Sequence, residues 1–201
     1  TTNVPENITC KKVAVFSGST WTAFGCVGAS GGDNLYQQLY PLSSWGQNFV
    51  TAPLYNRHFE VYRILVGADN TTVRVNGSTV SANGAPLLNP YRKGSVIEFQ
   101  SNGANIINAD KGISVAQYQI AQTCDPRNGP DINNPAIPGD PDMVILNPVE
   151  QTVTSTTLYS ALQNQTNPPT RITEHYINVV MKTADVGSFR GILLVGAFSR
   201  G

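Results

Sequence analysis

The sequence predicts an all-β protein: an antiparallel β-sandwich of jelly-roll or Ig-like kind, with at most one short helical turn. Three observations predict it. Apolar, β-branched runs of about five to eight residues recur, with a turn signal about every ten. The punctuation is by Asn-Gly, Asp-Asn and Asp-Lys-Gly, residues whose side chains and backbone freedom favour tight turns. No stretch carries the sustained periodicity of a long amphipathic helix.

In chain order, residues 1–10 are polar, contain Pro5 and read as a leader lying across the surface. Residues 12–16 form a strand closed by Ser17-Gly18-Ser19, and a Gly/Ser-rich loop then carries Trp21 and Phe24. Aromatics in such a loop either fold back as a lid on the core or stand out as contacts; the lid is the default, since an exposed Trp is unfavourable unless something binds it. Residues 33–40 fit a helical turn, through Leu35 and Leu39, as well as a strand, and Pro41 ends either. Phe49-Val50 and residues 60–66 resume the strand pattern. Asp69-Asn70 is a turn, residues 72–75 alternate, and Asn76-Gly77 is the type I′ hairpin dipeptide because both positions tolerate positive φ. Thr79-Val80 starts the return strand. Strands follow at 95–99, 104–107 and 113–120, separated by turns at Asn102-Gly103 and Asp110-Lys111-Gly112. After a Pro/Asn/Asp-rich crossing, further strands are expected at 143–146, 152–159, 175–181 and 192–195, with a polar turn region at 164–169.

This pattern divides the chain into a first β-unit at 1–125, a crossing loop at 126–142, and at 143–201 the start of a second β-unit, cut short or continued in the native chain. The charge balance is 13 basic against 13 acidic residues, which leaves no electrostatic footprint for nucleic acid or an anionic membrane. No apolar run approaches the roughly 20 residues of a membrane helix, so no membrane insertion is expected. A surface rich in Asn, Gln, Ser, Thr and Gly is typical of secreted β-proteins, which sets the expected localisation as extracellular or cell-surface.

The three cysteines, Cys10, Cys26 and Cys124, allow three pairings in an oxidising compartment. Cys10 with Cys26 is favoured because the loop is local; Cys26 with Cys124 would cross the sheet. The reading without a disulfide makes all three small buried apolar side chains.

A family resemblance rests on motifs in co-linear order: Ser43-Ser44-Trp45-Gly46 with Phe49, Tyr62-Arg63-Ile64, Asp69-Asn70-Thr71-Thr72-Val73, Asn76-Gly77, Asp110-Lys111, Val115-Ala116-Gln117-Tyr118, Gly139-Asp140-Pro141-Asp142-Met143 and Pro148-Val149-Glu150-Gln151. Over residues 13–151 the chain resembles the N-terminal domain family of IgGFc-binding proteins, secreted or surface modules of mucus-associated and bacterial proteins. The resemblance implies a disulfide near an Asp-His-Leu-type motif. Here Asp33-Asn34-Leu35 stands in for that motif and Trp21 lies where a partner cysteine is expected, so Cys10 or Cys124 becomes the substitute partner of Cys26. The linker at 125–139 is longer than the family's, and family domains run past the position of Gly201, which reads as a fragment terminus.

Candidate chemistry is sparse. Asp125, Asp131, Asp140 and Asp142 crowd the crossing loop, where oxygen ligands suit calcium and where Asp is equally a turn former; Ca2+ is the only cofactor the residues suggest. His58 and His175 are too few for zinc, and no Gly-x-Ser-x-Gly elbow occurs. Glu60, Glu98 and Glu150 are the carboxylates available to a glycosidase pair. For Glu150 the structural role is an acceptor of backbone N–H bonds at the loop–strand junction, which Trp45, Asp140 and Asp142 help to brace. Asn7, Asn70, Asn76 and Asn164 head glycosylation sequons. The expected function is therefore not enzymatic. It is an extracellular adhesion or binding module that meets a protein or glycan through loops 17–34 and 124–142, with Trp21, Phe24, Asp33 and Asn34 as contacts. The alternative is a structural subunit self-associating through an exposed sheet edge; a carbohydrate-active domain comes third.

Overall fold

A computed structural model of the chain describes residues 14–29, 31–79, 90–128, 139–157, 164–166, 169–171 and 176–188. The fold is all-β and antiparallel, and its helical residues lie in short 3-10 turns. Ten strands are described: β1 (Phe16–Thr22), β2 (Asp33–Gln38), β3 (Gly46–Thr51), β4 (Glu60–Val66), β5 (Val73–Val75), β6 (Val96–Ser101), β7 (Asn105–Gln119), β8 (Asp142–Ile145), β9 (Asn164–Thr166) and β10 (Pro169–Arg171). β1 pairs with β2 and β9 with β10 as separate hairpins, while the main sheet runs β3-β7-β4-β6, with β5 and β8 also on β7.

β7 organises the molecule. Its first half lies between β3 and β5, and its second half between β4 and β8. Asp110-Lys111-Gly112, expected to be a turn between two strands, is instead an irregularity within one 15-residue strand. The register shows it: Gly46 faces Ile113, yet Asn48 faces Asn108. The extra residues are absorbed because the Asp69-Asn70 turn holds them. Thr72 N donates to Asp110 Oδ1 at 2.8 Å, and Lys111 Nζ donates to the carbonyls of Asp69 and Asn70. A bulge of this kind bends a strand. The bend brings Phe49, Val73, Val75 and Ile107 onto Ile64, Ile97, Ile113 and Val115, so one folded-over sheet encloses the first core.

Alternation explains the burial. In β4, Tyr62, Ile64 and Val66 are buried on the first-core side, while Val61 is buried on the opposite face in a second cluster with Leu35, Tyr118 and Ile120. Asn76 (φ 52) and Gly77 (φ 79) form the expected tight turn, closed by a reciprocal pair of hydrogen bonds between Val75 and Ser78.

Several sequence expectations are decided or altered here. The first described strand begins at Phe16, residues 12–13 of the expected 12–16 strand lying outside the described residues, and Ser17-Gly18-Ser19 lies inside it: a Cβ on Gly18 would fall on the Leu35 carbonyl. Residues 33–38 form a strand, because Leu35 is buried while Tyr36 beside it is exposed. Residues 142–145 pair with β7, so a boundary drawn at 143 cuts through the first sheet. Residues 152–157 and 176–181 are exposed and carry no strand; 192–195 and the Thr79-Val80 return strand beyond Thr79 lie outside the described residues.

Candidate binding surface

The second core is small, and it positions the most distinctive surface of the molecule. Leu35, Val61, Tyr118, Ile120, Ala121 and Cys124 form it, and Ala23, Phe24 and Ala29 from the β1–β2 connection close it from outside. Phe24 stacks on Tyr118 with centroids 4.4 Å apart, and its carbonyl accepts from Ala121 N at 2.9 Å. Gly25 follows at φ 116, where a Cβ would lie within 2.9 Å of Ile120 and Cys124; only glycine lets the backbone run this close.

A Cys26–Cys124 disulfide, with Cα atoms 5.5 Å apart, then fastens the connection to the end of β7. The favoured local pairing of Cys26 with Cys10 is thereby overturned. The connection does not stay beside its own strand: it folds back across the second core, where Cys124 waits in a 3-10 turn (Gln122–Cys124). Cys10 lies outside the described residues.

Arg63 completes the arrangement. Its guanidinium lies 4.9 Å from the Phe24 ring centroid and 5.2 Å from that of Tyr118, and its Nε donates to Glu98 Oε2 at 2.7 Å. Partial burial works against the charge, but the Glu98 carboxylate and Tyr118 more than offset it and hold the Arg63 pKa above its ordinary value. Between this pair and the loop runs an open groove of about 450 Å³, lined by Thr22, Phe24, Val27, Arg63, Glu98 and Gln100.

Trp21 and Phe24 therefore part company. Phe24 is the lid; Trp21, 71% exposed, leans over Gly32 and stands in solvent, as do Val27 and Tyr36. Phe16 and Tyr36 stack on the hairpin with rings 5.6 Å apart and nearly parallel. Asp33 and Asn34 are exposed on β2, with the Asp33 carboxylate accepting from the Asn34 N–H at 2.7 Å. Neither Arg63 nor Tyr36 is among the contacts expected from sequence. Arg63 was visible as a cation sharing strand parity with Val61 and Leu65; Tyr36 was hidden by the helix–strand ambiguity of its segment.

The remaining candidates lie elsewhere. Trp45 donates from Nε1 to the Tyr40 carbonyl at 3.2 Å and packs over Gly67. Glu150 accepts from Gln47 N, Asn48 N and Asn48 Nδ2 through Oε1. Burial alone would raise its pKa, but these hydrogen bonds together hold it below the usual carboxylate range. At 140–142 the Asp140 main-chain carbonyl accepts from Gln119 Nε2, and the Asp142 carboxylate accepts from the N–H of Met143. Asp125 is buried and committed to Arg127, whose hydrogen bonds hold its pKa low, and Arg127 also reaches Asn56. Asp131 lies outside the described residues, and among those described no three Asp, Glu, His or Cys side chains gather as a metal site. Glu60 is fully buried, Glu98 is paired with Arg63, and Glu150 accepts from the β3 backbone and Asn48. No described helix is long and apolar enough to cross a membrane.

A family model described as IgGFc binding protein matches the chain over residues 2–197. No curated protein and no solved structure matches the chain.

Proposed function

From the premise that this chain belongs to the IgGFc binding protein family, we propose that it is an extracellular protein-binding module whose contact surface is the disulfide-fastened connection between β1 and β2. The observation that carries the reading is Trp21, 71% exposed near the end of β1, next to a connection that a covalent bond and a packed Phe24 hold in place. Large aromatics dominate binding energy when they dock into a partner, and a loop already ordered has little conformational freedom left to lose. The disulfide also fits an oxidising, extracellular setting. The groove beside Arg63 and Glu98 supplies a polar rim to the exposed, apolar Val27.

The test is surface plasmon resonance with the immobilised chain against immunoglobulin Fc fragments, mucin glycoproteins and deglycosylated mucin. Binding to at least one protein ligand is expected, and Trp21→Ala is expected to weaken it by roughly tenfold or more with an unchanged circular dichroism spectrum. Equal binding by Trp21→Ala, or loss of binding on deglycosylation alone, would overturn the reading, the latter in favour of a glycan partner.

A further inference from the structure

Among the described residues the chain carries an open sheet edge and a strand-forming segment without a ladder, and the two are not joined. β6 pairs along its whole length with β4, from Glu60–Ser101 to Leu65–Val96, and among the described residues no strand lies on its other side. Edges of this kind present unpaired N–H and C=O groups and invite another strand. The sequence Tyr176-Ile177-Asn178-Val179-Val180-Met181 is rich in β-branched and aromatic residues, the composition of a strand. It is nevertheless exposed: Ile177 by 64%, Val179 by 52% and Val180 by 44%. Contacts with the 53–55 loop hold one side of it: Tyr176 stacks on Tyr55 with centroids 3.9 Å apart and Asn178 Nδ2 donates to the Pro53 carbonyl at 3.2 Å.

One contact satisfies both features. We infer that residues 176–181 of one copy add as a strand to β6 of a second copy. Extended, the segment places Ile177, Val179 and Met181 on one face and Tyr176, Asn178 and Val180 on the other. Beside β6 the first set continues the row of Ile97 and Phe99, which pack in or against the first core. The second set continues Val96, Glu98 and Gln100. Donor and acceptor are different surfaces, so the contact is heterologous and builds a ring or an open chain of copies. This goes beyond the binding reading and does not depend on it, since Trp21 takes no part.

The test combines sedimentation of the 201-residue chain over a wide concentration range with cross-linking. A photo-reactive residue at position 178, in a mixture of isotope-labelled and unlabelled copies, is expected to capture residues 96–101 of the other isotopic form. The double substitution Val179→Pro/Val180→Pro removes a ladder donor whichever way the added strand runs and is expected to weaken association by roughly tenfold or more while near-ultraviolet circular dichroism stays unchanged. Trp21→Ala is expected to leave association intact. A chain monomeric at every concentration, cross-links confined to one isotopic form, or association indifferent to Val179→Pro/Val180→Pro would each overturn the inference.

Discussion

The two cores flank the same strands but are built on different principles. The first draws Phe49, Ile64, Val66, Val73, Val75, Ile97, Ile107, Ile113 and Val115 from five strands, each buried to within 8% exposure, and it has no covalent staple. The second holds six buried residues, and loop residues rather than a full sheet close it. A small core leaves less buried apolar area to offset chain entropy. Here the Cys26–Cys124 bond supplies the constraint that area does not. The difference teaches where rigidity comes from at the surface that displays Trp21: from a staple, not from packing depth.

The sharpest way to break that comparison is to remove the staple. Cys26 and Cys124 are 98 residues apart, and loop entropy over about that span corresponds to about 4–5 kcal/mol. In Cys26→Ser the measured loss is expected to fall mainly on the β1–β2 hairpin and its connection. Hydrogen exchange should accelerate there while β4 and β7 amides keep their protection. Uniform acceleration across both regions would show that the two cores are one cooperative unit. The next effect in size comes from paired truncations. Ile64→Ala in the first core is expected to cost about 2–5 kcal/mol of global stability in a urea titration. Leu35→Ala in the second should cost less and act locally, as read by hydrogen exchange of β2. A global loss for Leu35→Ala as large as that for Ile64→Ala would erase the distinction.

How much of this was legible in the sequence follows the same division. The first core was readable because its strands announce themselves locally: residues 60–66 are a run of β-branched and aromatic residues, and Asn76-Gly77 fixes a tight turn by backbone chemistry alone. The bend in β7 was misread, because Asp110-Lys111-Gly112 has turn chemistry and only the tertiary hold on Asp110 and Lys111 keeps the strand running. The second core was nearly illegible. Its closure depends on a disulfide spanning half the chain, and proximity in sequence pointed to the wrong partner. Trp21 and Phe24 are alike in sequence terms; their separation into contact and lid follows from Gly25 and Tyr118, whose meeting no local pattern encodes. Glu150 was legible as an acceptor of backbone N–H groups, although Gln47 and Asn48 as the donors were not.

The smallest effect also separates an interior from a surface, through two glutamates of opposite behaviour. Glu60 is fully buried, and burial raises its carboxyl pKa despite the Leu54 N–H at 2.9 Å, the Tyr62 hydroxyl and the Arg57 charge. Burial likewise pushes the Tyr62 hydroxyl up to about 12. Glu150, exposed, has a lowered pKa because its hydrogen bonds from the β3 backbone and Asn48 together outweigh its partial desolvation. For Glu60 the folded state holds the proton more tightly than the unfolded chain, so its contribution to stability falls as pH rises from the ordinary carboxylate range, about 4, through the raised folded value. For Glu150 the stabilisation is present above that range and is lost as pH falls through the lowered folded value. In urea titrations between about pH 3 and 7, Glu60→Gln should therefore gain on the parent chain as pH rises. Glu150→Gln should trail the parent at neutral pH, by under about 1 kcal/mol after solvent screening, and converge with it in acid. Parallel pH profiles for the parent and both variants would mean that neither carboxylate is coupled to folding, and that the contrast between buried and surface acid carries no energy.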